Sequence, residues 1–167
     1  MTAPEFSRLV DLRQPLAAPV EIEATADECR ALAKRFGLVA IERLGAKVAL
    51  APDGEAVEAR GRLRAAVVQS CAVSGEDLAV EIDEPLALRF VPEAPVGAEE
   101  LELDAGKLDE IPYTGTAFDL GEAVAQSLAL AIDPYAVGPE AEKVRREALA
   151  DETASGPFAA LAALKKD

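Results

Sequence analysis

The chain has 167 residues, half of them apolar and 29% charged, which fills one core and is too short for two large domains. Lysine and arginine number 17 against 31 aspartates and glutamates, a formal charge of −14, so the molecule as a whole repels nucleic acid and anionic membrane at long range, and a basic coat or histone-like binder is excluded. Histidine is absent and the thiols are Cys29 and Cys71 alone, which removes the commonest general base and leaves too few ligands for a four-cysteine zinc site.

The first 24 residues are extended, and Val20 and Ile22 alternate with Glu21 and Glu23 after Pro15 and Pro19, which predicts an edge strand. Thr25 and Glu28 make a capping box. Behind it, Cys29, Leu32, Ala33 and Phe36 repeat at helical spacing up to Gly37, a short amphipathic helix. From Leu38 to Val91 the period drops to two. Pro52-Asp53-Gly54 marks one reversal, predicted to set Leu50 opposite Val57 and Val48 opposite Ala59. Ser74-Gly75-Glu76-Asp77 marks a second, predicted to set Val67 opposite Ile82 and Leu63 opposite Leu86. Leu78, Val80, Ile82, Leu86, Leu88 and Phe90 then share one face, so residues 38–91 are read as a curved antiparallel sheet with one face on the core and one wet.

Residues 92–117, with Pro92, Pro95, Gly97, Gly106, Gly115 and many acids, are read as a long acidic loop with at most a short strand around Leu101 and Leu103. Asp119 and Glu122 make a second capping box, Leu120, Val124, Leu128 and Ile132 form the stripe of a second helix, and Pro134 ends it. Residues 136–155 are read as a charged, solvated linker in which residues 140–150 have the Glu142 to Arg146 and Lys143 to Glu147 pairs of a polar helix. In residues 156–167, Phe158, Leu161 and Leu164 fall near one helical face, giving a short helix that folds back on its own core or a peptide offered to a partner's groove. The expected organisation is a domain over residues 1–135 followed by linker and terminal segment. The expected fold class is α+β: a curved antiparallel sheet or small open barrel with two packed helices and a mobile acidic C-terminal tail. No apolar run is long enough to span a bilayer, and Glu5, Arg8 and Asp11 do not suit a secretory signal, so a cytoplasmic location without membrane contact is expected.

On the predicted second long strand the odd positions from 57 to 67 face inward, so Glu58, Arg60, Arg62 and Arg64 face water, and the registers above bring Lys47 and Arg89 opposite Arg60. These five cations are a candidate anion or RNA contact, because a local patch acts within a Debye length of roughly 8 to 10 Å whatever the net charge. The plainer reading, given more weight, is that they pair with Glu58, Glu81 or the acidic loop and keep a sheet face soluble. Cys71 stands where a Cys-x-x-Cys turn would need a second thiol at Ser74, so it is read, like Cys29, as a small buried apolar group. Acid pairs such as Asp104 with Asp109 or Asp109 with Glu110 have the look of solvating charge. A carboxylate-dependent hydrolase would need a deep pocket and a carboxyl of raised pKa. Gly54, Gly61 and Gly75 make no phosphate-cradling loop, and neither cofactor nor metal nor enzymatic activity is expected.

Three stretches stand together: Val67-Val-Gln-Ser-Cys71-Ala-Val-Ser74-Gly closing a strand, Phe118-Asp-Leu-Gly-Glu122 running to Asp133-Pro134, and Gly156-Pro157-Phe158-Ala-Ala-Leu-Ala-Ala-Leu-Lys near the end. In this order they resemble the YceD family, the large ribosomal RNA accumulation proteins, with Cys71, Asp119, Leu120, Glu122, Pro134, Pro157, Phe158, Leu161 and Leu164 carrying the likeness. The resemblance implies a bacterial, non-enzymatic cytosolic factor needed for large-subunit ribosomal RNA to accumulate, with organellar relatives in plastid RNA maturation. Where relatives show Cys-x-x-Cys this chain has Cys71 and Ser74, which leaves a structural turn without the full thiol pair. Two mechanisms fit a polyanion tied to RNA. In the preferred one, acidic surface at Glu99, Glu100, Glu102, Asp104, Asp109 and Glu110 attracts a basic ribosomal protein or RNA-processing factor. In the other, the arginine-rich sheet face touches ribosomal RNA directly.

Overall fold

In the computed structural model, residues 4–16, 18–93 and 110–155 are described. The chain runs through strands β1 (Leu9–Asp11) and β2 (Val20–Glu23), helix α1 (Ala26–Phe36), and strands β3 (Ala40–Asp53), β4 (Ala56–Ser70), β5 (Asp77–Pro92), β6 (Glu110–Tyr113) and β7 (Ala117–Asp119). Helices α2 (Leu120–Ala131) and α3 (Ala141–Ser155) follow. The protein is α+β. Five strands form one open sheet in the order β2-β3-β4-β5-β6, and β1 pairs with β7 in a separate ribbon.

The predicted turn over Pro52-Asp53-Gly54 is displaced by one residue. Pairing continues to Asp53↔Ala56, so Leu50 lies opposite Ala59 and Val48 opposite Gly61, in place of Val57 and Ala59. A two-residue hairpin turn of the primed kind needs a positive φ at its first central residue, and Gly54 supplies it at 64°. Centring the turn one residue earlier would have imposed that conformation on Asp53. The displacement preserves parity, so the predicted inward side chains stay on the core face: Val48, Leu63 and Val67 on β3 and β4 and Ile82, Leu86 and Phe90 on β5 are buried, and Leu78, Val80 and Leu88 are half-buried.

The acidic stretch expected to be loop contributes β6, which lies parallel to β5 with Arg89↔Glu110 and Pro92↔Tyr113 in register. Only four residues long and interrupted by Pro112, it lacks the alternation of a strand, and an edge position tolerates its proline. The mixed sheet therefore replaces a purely antiparallel one. Leu101 and Leu103 lie outside the described residues.

Contacts within the chain define two compact units. One comprises the described residues up to Val68 together with 79–132, and the other Gln69–Leu78 with the described residues from Asp133 onward. In the first, Phe6, Leu32, Leu44, Leu63, Phe90, Leu120 and Leu128 are fully buried, and the rings of Phe90 and Phe118 stack at 4.0 Å. The box at α1 is complete, with Thr25 and Glu28 bonded reciprocally and Gly37 closing the helix at φ 68°. At α2 only half of the predicted box forms. The Asp119 carboxylate accepts the Glu122 amide at 3.1 Å, but the Glu122 carboxylate turns away to accept both terminal nitrogens of Arg35. A bidentate guanidinium is a stronger partner than one backbone amide.

In the second unit, Gln69 Nε2 donates to the Asp133 carbonyl at 2.7 Å and the Ala72 amide donates to the Ala136 carbonyl at 3.0 Å. At α3 Glu142 pairs with Arg145 in place of Arg146, and Lys143 pairs with Glu140, just ahead of the helix, in place of Glu147, while Arg146 Nε donates to the Glu142 carbonyl. Residues three apart share a helix face as well as those four apart. Among the described residues no helix is long and apolar enough to cross a membrane.

Candidate functional site

The wet face of the sheet carries charge in rows that run across the strands. Glu21 of β2 stands opposite Lys47 of β3, which stands opposite Arg62 of β4. Lys47 Nζ lies 3.0 Å from Glu21 and Arg62 Nε lies 2.7 Å from Asp83 of β5, so two like charges placed directly opposite are flanked by carboxylates that offset their repulsion. In the next row Glu23 faces Gly45, which faces Arg64. Gly45 brings no side chain, so a hollow opens between a carboxylate and a guanidinium. A cavity of about 540 Å³ occupies this region, lined by Glu21, Glu23, Arg43, Lys47, Arg62 and Arg64 above Gly45 and Gly61. Asp83 serves two arginines, Arg62 closely and Arg64 at 3.6 Å, and its carboxyl is held below the usual range chiefly by the Arg62 hydrogen bond.

Toward the β3–β4 turn the sign reverses. Three carboxylates converge on the guanidinium of Arg89: Asp53 at 2.9 Å, Glu58 at 3.4 Å and Glu110 at 3.7 Å. Glu58 also holds Arg60 at 3.1 Å. Tyr113 donates its hydroxyl to the Glu55 carbonyl at 2.6 Å and accepts the Glu93 amide on its own carbonyl, which fixes two more acidic residues there.

The five-cation patch is thus divided. Lys47 faces Arg62, and Arg60 faces Ala49, so the expectation that Lys47 falls opposite Arg60 is corrected by the one-residue displacement of the turn. Arg60 and Arg89 belong to the acidic end, while Lys47, Arg62 and Arg64 line the groove. Arg43 joins them by the same period-two alternation that places Gly45 and Lys47 on the wet face, and the bulge between Ile41 and Arg43 turns Ile41 inward instead. The alternate positions 43, 45 and 47 were the available signal. Glu110 sits in β6, against the reading that it belongs to a loop. Glu99, Glu100, Glu102, Asp104 and Asp109, like Pro157, Phe158, Leu161 and Leu164, lie outside the described residues.

Of the remaining motif residues, Leu120 is fully buried, Asp119 caps α2 and also accepts the Arg8 amide at 2.8 Å, and Pro134 follows the end of α2. Cys29 is buried in the α1 stripe, and burial pushes its thiol up. Cys71 is also buried, but it is more than an apolar filler. Its sulfur accepts the amides of Ser74 and Gly138 at 3.3 Å and of Val73 at 3.5 Å. The Ser74 side chain, then these amides, stabilise the thiolate and bring the thiol down to about 6. Beside it the Glu76 carboxylate accepts the Glu140 amide at 3.1 Å and lies 3.1 Å from the Ser74 hydroxyl, whose single proton serves either the sulfur or the carboxylate.

A thiol below its usual value of about 8.5 contributes stability that is complete above that value and is lost as pH falls through about 6. Amide hydrogen exchange at Gly138 is therefore expected to accelerate between pH 8 and 5.5 beyond its intrinsic rate change, and Cys71→Ala is expected to abolish that extra step. A wild-type profile that follows only the intrinsic rate would contradict the thiolate anchor.

A family model described as Large ribosomal RNA subunit accumulation protein YceD matches residues 59–165. No curated protein and no solved structure matches.

Proposed function

The chain belongs to the YceD family of large ribosomal RNA subunit accumulation proteins, and on that premise we propose that it acts by binding a basic ribosomal protein or RNA-processing factor, without catalysis and in the cytoplasm. The observation that carries this reading is the convergence of Asp53, Glu58 and Glu110 on the single guanidinium of Arg89, with Glu55 and Glu93 beside them. The two arginines there, Arg89 and the Glu58-bound Arg60, cannot neutralise those five carboxylates, so the end of the sheet presents surplus negative charge on a body already at −14. Such a field raises the encounter rate with cationic proteins and falls with added salt. Among the described residues the carboxyls displaced from their ordinary values, Asp11, Glu28, Asp83 and Glu122, are all displaced downward by arginines, the reverse of what a general acid requires.

The test is capture on the immobilised full-length chain of large-subunit proteins freed of RNA, at 50 and 300 mM salt, alongside nuclease-treated lysate. Recovery of one basic protein at low salt is expected, insensitive to nuclease and reduced by the charge reversals Glu55→Lys and Glu93→Lys. Recovery that vanishes with nuclease, or that ignores the reversals, would overturn the reading.

A further inference from the structure

The groove at the opposite end of β3 and β4 is distinct in chemistry from the acidic end, and it points to a second ligand. We propose that the hollow between Glu23, Arg43, Lys47, Arg62 and Arg64 seats the phosphate backbone of single-stranded RNA, with Asp83 as the internal competitor that the phosphates displace. This goes beyond the protein-binding reading and does not depend on it.

Four observations carry it. The groove is large enough, at about 540 Å³, for a phosphodiester with its sugar. Its depth comes from an absence: position 45, between Glu23 and Arg64 in the cross-strand row, has no side chain. Its cations are regularly placed, since Arg62 and Arg64 stand two residues apart on one face of β4, at about 7 Å by strand geometry, and Lys47 stands directly across from Arg62. That repeat is of the order of the interval between successive phosphates in an extended polynucleotide. Finally, the carboxylates now holding these cations are held weakly. Lys47 with Glu21, Arg43 with Glu81, and Arg62 and Arg64 with Asp83 are pairs in which every side chain is about half exposed or more. Exposed pairs contribute little to stability, so exchanging a carboxylate for a phosphate costs little, and a guanidinium binds phosphate through two parallel hydrogen bonds.

The net charge of −14 opposes approach from a distance, yet beyond a Debye length of roughly 8 to 10 Å that repulsion is screened while the groove's own cations act at contact. Among the described residues no aromatic side chain lines the groove, so they offer no platform on which bases stack. The site therefore reads backbone and not sequence, and binding should be weak, salt-dependent and indifferent to base identity.

The test uses the full-length chain and fluorescein-labelled 12-nucleotide oligouridylate and oligoadenylate, read by anisotropy from 30 to 150 mM salt. Each phosphate neutralised contributes about −0.7 to the slope of log affinity against log salt. The double variant Arg62→Ala/Arg64→Ala is expected to weaken binding about tenfold and to flatten the slope by about 1.4. Asp83→Asn, which frees both arginines, is expected to tighten binding about threefold. Arg62→Ala alone is expected to lose part of that affinity, whereas Arg60→Ala removes the same single charge outside the groove and should leave affinity unchanged. Circular dichroism melts of each variant separate a binding effect from misfolding. Wild type without measurable binding at 30 mM salt, an Arg60→Ala loss equal to that of Arg62→Ala, an Asp83→Asn that fails to tighten, or a preference for one base over the other would each overturn the proposal. Failure here leaves the nuclease-resistant capture of a basic protein untouched, so the two readings stand or fall separately.

Discussion

Gly61→Ala is expected to destabilise the protein by about 3 kcal/mol, at the upper end of what overpacking costs, because the added methyl has nowhere to go. A Cβ at position 61 would stand 2.0 Å from the Lys47 carbonyl oxygen and 2.8 Å from the Val48 Cα. Both are backbone atoms of the neighbouring strand, and they cannot retreat without breaking the pairings Lys47↔Arg62 and Val48↔Gly61 that hold the centre of the hairpin. A flexible side chain could swing aside, whereas a paired strand cannot. The comparison is Gly54→Ala at the turn. There nothing lies within 4 Å, and the cost is only the left-handed conformation at φ 64°, about 1 kcal/mol. Urea denaturation monitored by circular dichroism would show the two variants well separated. Equal midpoints would mean that β3 and β4 do not approach as closely as described. The same close approach shapes the groove floor, so any Gly61 variant that does fold should also alter the binding of phosphate there.

The second large effect is expected at Glu28, where one carboxylate performs two tasks. Its Oε2 accepts the Thr25 amide at 2.7 Å in the α1 capping box, and its two oxygens accept Arg8 at 2.7 and 2.9 Å. Arg8 in turn donates to the Ser7 and Glu23 carbonyls and lies over the Phe6 ring at 4.6 Å, so the pair ties the N-terminal segment to α1. Glu28→Ala loses cap and pair together, about 2 kcal/mol. Glu28→Gln keeps a capping amide and loses only the charge, about 1 kcal/mol after allowing for partial exposure.

The pH dependence separates the two losses. Arg8 holds the Glu28 carboxyl down to about 2, well below its ordinary value of about 4.3. A depressed carboxyl contributes stability that is complete above the ordinary value and disappears as pH falls through the folded one. The gap between wild type and Glu28→Gln should therefore be full at pH 6 and shrink steadily from about 4.5 toward 2, while the residual deficit of Glu28→Ala persists. A gap that is constant across this range would show that Arg8 and Glu28 do not interact as charges.

What the amino-acid order determines by itself is whatever depends on neighbours along the chain. The Thr25–Glu28 box, the Gly37 stop and the end of α2 before Pro134 are local geometry, and the inward set on β3, β4 and β5 follows from a period of two that a displaced turn cannot invert. The resemblance of the Cys71, Asp119 and Pro134 stretches to the YceD family was likewise legible in the linear order, and the matched residues 59–165 bear it out. What only the tertiary structure decided is everything set by pairing between distant segments. That Glu110 meets Arg89 depends on β6 lying parallel beside β5, which no local pattern around Pro112 announces. That the groove exists depends on Gly45 falling between Glu23 and Arg64 in register. Glu122 leaves its own helix end for Arg35, and the Cys71 sulfur collects an amide from Gly138, because a polar group takes the strongest partner the folded chain brings within reach. Register is a long-range quantity, and a shift of one residue at the β3–β4 turn reassigns every cross-strand neighbour between those two strands, Lys47 with Arg62 included, while leaving the core unchanged.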